Sequence, residues 1–190
     1  VIENGTLVTM DGQSQVLENH SLGINKGKIA AIFPAGSSSF WAKEKINAQN
    51  CLVTPGLINA HSHLPMTYFR GLADDLPLQK WLQEYIWPLE AKLVNPEFVY
   101  DATLHGAAEM LKNGISTTND MYFHMGSIAD ACIKAGLRVI ISEALIDHQL
   151  TEKDRNCCIG NRIKKLREDY RDQPLIDFSL APHSIYTCSP

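Results

Sequence analysis

From residue 56 onward, short apolar runs alternate with stretches of helical spacing, and no other feature constrains the fold of this 190-residue chain as tightly. Residues 115–118, 137–142 and 175–180 read as buried strands. Residues 127–135 have helical spacing, and a last helix is expected through Ile159, Ile163, Leu166 and Tyr170, with Thr151 as its cap. Earlier, Trp81, Leu82, Tyr85, Ile86 and Leu89 repeat at helical spacing, and Pro88 predicts a kink or break there. Asn95-Pro96-Glu97 is a helix start: a capping side chain, a proline in the first turn, then an acid near the positive end. That helix is expected to reach Lys112, with Gly114 closing it. Strands separated by helices imply a parallel sheet, because a parallel return needs a crossover.

The first 55 residues have a different texture. Short apolar runs separated by Asp11-Gly12 and by Asn25-Lys26-Gly27-Lys28 are the pattern of β-hairpins, and 34–39 reads as a loop. The expected architecture is α/β: a small β module over 1–55, then part of an α/β barrel over 56–190.

Composition removes several function classes. Seventeen Lys and Arg against 21 Asp and Glu leave a charge of −4, so no cationic excess exists to neutralise nucleic-acid phosphates. No apolar run approaches the ~18 residues that would span a bilayer, and no signal-peptide layout is seen. Cys51, Cys132, Cys157, Cys158 and Cys188 are irregularly spaced and contain no C-x-x-C, which excludes a cysteine-rich zinc knuckle and predicts reduced thiols in a cytoplasmic protein.

His61-Ser62-His63 is the sharpest chemical feature. Side chains at i and i+2 of a strand share a face, roughly 6.6 Å apart, and two such imidazoles can reach one divalent metal. The alternative is a pair of polar histidines in an exposed loop. Context favours the metal, because Pro55-Gly56-Leu57-Ile58-Asn59-Ala60 is a turn and a short apolar strand that ends at the pair. In an α/β barrel, that end of the strands carries the chemistry. His183, in Ala181-Pro182-His183-Ser184-Ile185-Tyr186, also follows an apolar strand and is the third candidate. Asn119, Asp120, Met121, Tyr122 and His124 follow another strand and read equally as pocket mouth or as ordinary loop. Trp81, Tyr85 and Trp87 read as a packed helix face, and His20, His105 and His148 as surface or cap residues.

Pro-Gly-Leu-Ile-Asn-Ala-His-Ser-His at 55–63, followed by Pro-His-Ser-Ile-Tyr-Thr-Cys-Ser at 182–189, resembles the amidohydrolase superfamily. The branch it resembles holds the methylthioadenosine/S-adenosylhomocysteine deaminases and the triazine chlorohydrolases. The resemblance implies a partial (β/α)8 TIM-type barrel preceded by a small β-sandwich module. It also implies that His61, His63 and His183 ligate one divalent metal, Zn²⁺ or alternatively Fe²⁺. By the same likeness the metal-activated water would attack the amidine carbon of an aminated heterocycle and release ammonia. Glu90, read from the residues alone an ordinary helix-surface glutamate, would by likeness receive the ribose hydroxyls of a nucleoside.

Family members continue well past this length, to a further histidine, a proton-shuttling glutamate and a late aspartate. The chain is therefore expected to be the N-terminal part of an enzyme, with no catalytic residue beyond the metal ligands and an unclosed barrel that needs its C-terminal half. A homo-oligomer is expected once it is complete. Four barrel strands can be counted, whereas the family places the His183-type ligand on the fifth. Members acting on S-adenosylhomocysteine carry an arginine where this chain has Ser142-Glu143-Ala144, and an acid there would repel the substrate carboxylate. Methylthioadenosine, adenosine or another uncharged amino-heterocycle is thus the expected substrate. The alternatives are a triazine-type chlorohydrolase and a non-catalytic half-barrel fragment.

Overall fold

The computed structural model describes residues 1–37, 41–145, 159–185 and 187–188, with the side chains of 159 and 160 left aside. His148, Thr151, Cys157 and Cys158 lie outside the described residues, as does part of the loop expected over 34–39. The chain divides into two compact units, Val1–Gly56 and Leu57–Pro190.

In the first unit, β1 (Ile2–Val8), β2 (Val16–Asn25) and β3 (Lys28–Pro34) form an antiparallel meander. Two short strands, β4 (Ile46–Asn47) and β5 (Leu52–Val53), pair in parallel with successive parts of β1. The Asp11 carboxylate shapes the first connection by accepting from the backbone N–H groups of Gln13 and Ser14, both at 3.0 Å. Among the described residues this unit is one five-stranded sheet.

The second unit holds four parallel strands in the order β6 (Leu57–Ser62), β7 (Ile115–Met121), β8 (Arg138–Leu145) and β9 (Ile176–Pro182). The crossovers carry α1 (Leu78–Lys80), α2 (Trp87–Leu93), α3 (Pro96–Lys112), α4 (Met125–Ala135) and α5 (Ile159–Asp169). Asn95 caps α3, its side chain accepting from the Phe98 N–H at 3.0 Å, with Pro96 in the first turn. Gly136 ends α4 at φ 79°, a left-handed conformation that strains residues with a side chain, and its N–H reaches the Cys132 carbonyl at 2.8 Å. Val99, Ala107, Ile128, Cys132, Val139, Ile141 and Phe178 are buried together between helices and sheet.

The structure corrects two sequence expectations here. Pro88 does not break its helix. It sits in the first turn of α2, and a π-helical segment, Trp81–Ile86, bridges α1 and α2 ahead of it. The Trp87 N–H accordingly bonds back to the Leu82 carbonyl, a wider turn that lets the helix continue up to a residue with no N–H of its own. The second strand also runs past residue 118 to Met121, drawing Asn119 and Asp120 into the sheet beside Ile140 and Ile141.

Two local features aim the end of β6. Asn59 pairs with Thr118 but Ser62 with Asp120, so β6 carries one extra residue there, a bulge that re-aims the side chains around His61. After His63 the chain turns at once into a 3₁₀ helix, Leu64–Phe69, packed on α3 at Gly106. A β-carbon at Gly106 would lie 3.1 Å from the Leu64 carbonyl oxygen and 3.0 Å from its Cδ2. Alanine normally gains about 1 kcal/mol over glycine within a helix. Here the clash involves backbone that cannot swing away, so Gly106→Ala is expected to destabilise the protein by roughly 1–2 kcal/mol net. Urea unfolding tests this, and a stabilised variant would contradict the packing described.

Candidate functional site

The carboxyl ends of all four parallel strands lie on one side of the sheet, where parallel α/β folds collect their chemistry. His61 and His63 stand at the end of β6 with their rings edge to face, 4.8 Å between centroids at 82°. His63 Nδ1 is 2.6 Å from the Met121 carbonyl oxygen. A carbonyl can only accept, so Nδ1 carries the proton and Nε2 keeps the lone pair that could ligate a metal. This is the usual outer partner of a metal-binding imidazole.

Behind the pair, on β7, the Asp120 carboxylate is fully buried. Its Oδ1 accepts from the Leu64 N–H at 2.6 Å and from Ser62 Oγ at 2.9 Å, and Ser62 Oγ also meets Thr118 Oγ1 at 2.7 Å. Burial raises the Asp120 pKa to about 6, against the lowering effects of those two bonds and of nearby His61.

A cavity of about 540 Å³ opens in front of His63, with Glu90, His183, Trp81, Trp87 and Tyr122 among its walls. Glu90 Oε1 accepts from the Tyr122 hydroxyl at 2.6 Å. Burial pushes the Glu90 carboxyl above its ordinary range, while the Tyr122 hydroxyl and nearby His63 pull it back. Burial and then Glu90 push the Tyr122 phenol upward. A second cavity, of about 820 Å³, shares Trp87, Glu90 and Tyr122 and extends to Glu143 and Arg162.

The structure brings the expected site residues together unevenly. His61 and His63 are adjacent, and His63, Glu90 and His183 border one cavity. Among the described residues, no group of three His, Cys, Asp or Glu side chains is already placed to hold an ion. His183 follows the end of β9, its N–H on the Leu145 carbonyl at 3.1 Å and its Nδ1 3.0 Å from Thr187 Oγ1, which ties it to the cavity wall. Glu143 is not a bare repelling charge, because Arg162 of α5 pairs with it. Trp81 and Trp87 line the cavity where only a packed helix face was expected. Tyr122 and Asp120 had no local signature, since each gains its role from a residue more than 30 positions away. His105 is a surface residue, 3.4 Å from Glu109, and His124 takes a left-handed conformation ahead of α4.

Residues 52–190 match the Amidohydrolase family. Over its whole length the chain is 43% identical to the 5-methylthioadenosine/S-adenosylhomocysteine deaminase of Lawsonia intracellularis and covers 43% of that protein. The 5'-deoxyadenosine deaminase of Methanocaldococcus jannaschii is 42% identical over 87% of the chain, which covers 39% of it. Among solved structures, a zinc-bound adenosine deaminase from Xanthomonas campestris superimposes with a TM-score of 0.89 at 37% identity, over 99% of this chain and 43% of that one. The atrazine chlorohydrolase of Arthrobacter aurescens, complexed with zinc, shares the fold at a TM-score of 0.80 and 20% identity, over 99% of this chain and 47% of that one. The chain thus spans less than half the length of the curated relatives it matches. Among the described residues, no helix is long and apolar enough to cross a membrane.

The Glu90–Tyr122 bond predicts a direction of titration. Tyr122→Phe removes the donor that favours the ionised carboxylate, so the midpoint of Glu90 is expected to move to higher pH. Carboxyl ¹³C shifts followed through a pH titration measure it. A midpoint that stays or falls would show that the hydroxyl does not hold Glu90.

Proposed function

This chain belongs to the amidohydrolase family, and we propose that it is the N-terminal part of a metal-dependent aminohydrolase that deaminates an adenine nucleoside such as 5'-methylthioadenosine. The observation that carries the proposal is the cavity bordered by His63, Glu90 and His183, with His61 packed against His63. In this reading β6 to β9 are the first four strands of a (β/α)8 barrel. Val1–Gly56 is the N-terminal part of a small β-sandwich module, and the remaining strands lie in the rest of a longer protein.

The donor set fits a divalent ion at His61 and His63. Two neutral imidazoles on one strand end suit Zn²⁺ or Fe²⁺, and the Met121 carbonyl already selects the His63 tautomer whose Nε2 is the donor. When bound, such an ion supplies the Lewis acidity that makes a nucleophile of water near neutral pH. We assign His183 to the same ion as a third ligand, because it follows a strand end as His61 does and borders the cavity in front of His63.

Glu90 would accept hydrogen bonds from ribose hydroxyls, which favours a nucleoside over a free base. Tyr122 fixes the carboxylate it donates to, and Trp81 and Trp87 give the cavity apolar walls against a heterocycle. Glu143 paired with Arg162 leaves no net charge at the mouth of the neighbouring cavity, which suits an uncharged 5'-substituent.

In the complete protein, His61→Ala is expected to abolish both zinc binding and deamination. Glu90→Gln keeps the length but loses the charge, weakening each ribose bond by about 1–2 kcal/mol. The expected result is a KM roughly tenfold higher with zinc content unchanged. His183→Ala should instead lower zinc content and deamination together. Steady-state ammonia release measured beside zinc stoichiometry tests all three. Full zinc retention by His183→Ala would remove it from the ligand set, and chloride release from a chlorinated triazine without deamination of adenosine would overturn the substrate reading.

A further inference from the structure

Asp120 is the one charged side chain among the described residues that is fully buried. Its Oδ1 serves the residue between the two histidines, through Ser62 Oγ, and the residue after them, through the Leu64 N–H. Its Oδ2 is buried with no hydrogen-bond partner. Such an atom costs stability, and an asparagine could accept the same two bonds through its own oxygen without burying a charge. The hydrogen bonds therefore account for an acceptor at this position but not for an ionisable one. The Asp120 carboxylate also lies close enough to His61 to interact with it through space.

We infer that Asp120 is a positioning residue for the His61–His63 pair: Oδ1 fixes the chain on both sides of His63, and the negative charge favours a cation held by the imidazoles. The inference rests on the reading of His61 and His63 as metal ligands. It explains why the bulge in β6 does not leave the pair loosely placed. The extra residue re-aims His61, and the carboxylate clamps Ser62 directly afterwards. An outer partner of this kind typically changes metal affinity by 10- to 100-fold without touching the ion.

The test is zinc affinity of the complete protein, measured by competition with a chelator, beside the unfolding midpoint of the metal-free form. Asp120→Asn is expected to bind zinc about tenfold or more weakly, with the midpoint little changed. Ser62→Ala, which keeps the charge and removes one arm of the clamp, should show a smaller loss, and it carries the test if Asp120→Asn does not fold. Val139→Ala, in the core on β8, should lower the midpoint and leave zinc affinity alone. Wild-type zinc affinity in the Asp120 and Ser62 variants would overturn the inference, as would a loss that only follows the midpoint. A wild-type protein that holds no zinc at His61 and His63 would overturn the metal reading and this inference with it.

Discussion

Parallel strands cannot be joined by hairpins, and the second unit is built around that constraint. Each of its four strands must be followed by a crossover before the next can pair, so every strand ends on the same side of the sheet. Polar residues at those ends become neighbours whatever their distance in sequence. His63 meets the Met121 carbonyl, Ser62 meets Asp120, and Ser142 Oγ lies 2.7 Å from Ser179 Oγ. The apolar residues of the same strands are buried under α3 and α4, which holds this row of polar ends in place.

Within that frame the site is organised by desolvation. Glu90 and Asp120 are both acids held above their ordinary range by burial, yet they are satisfied differently. Glu90 borders the cavity and accepts a hydrogen bond from the Tyr122 phenol. Asp120 lies behind the histidines and is bound to backbone and hydroxyl, so its influence passes through the chain and through space. In the proposed reading, burial of the same chemical group serves recognition in one place and support in the other.

Much of this was legible in the sequence, and what was not has identifiable physical causes. The α3 start could be read because capping is local: Asn95, Pro96 and Glu97 carry the whole signal. His61 and His63 could be read because both lie on one strand. The reach of β7 to Met121 could not, since Asn119 and Asp120 are poor strand formers held there by pairing with β8. The bulge in β6 belongs to the register between two strands 50 or more residues apart and has no local signature. His183 shares with His61 its place at a strand end and borders one cavity with His63, but a strand-end position does not by itself fix distances across that cavity. Glu90 emerged only through family resemblance, because its partner Tyr122 is 32 residues away.

The π-helical segment ahead of Pro88 has a rotational consequence. In a regular α-helix, residues nine apart are separated by about two and a half turns and point to opposite sides. Trp81 and Glu90 are nine apart, yet both border the same cavity. The wide turns between them rotate the chain less per residue, which brings an indole and a carboxylate into line along one edge of the helix. A segment that would otherwise divide its aromatic and acidic groups between two faces becomes a single wall, apolar at one end and hydrogen-bonding at the other.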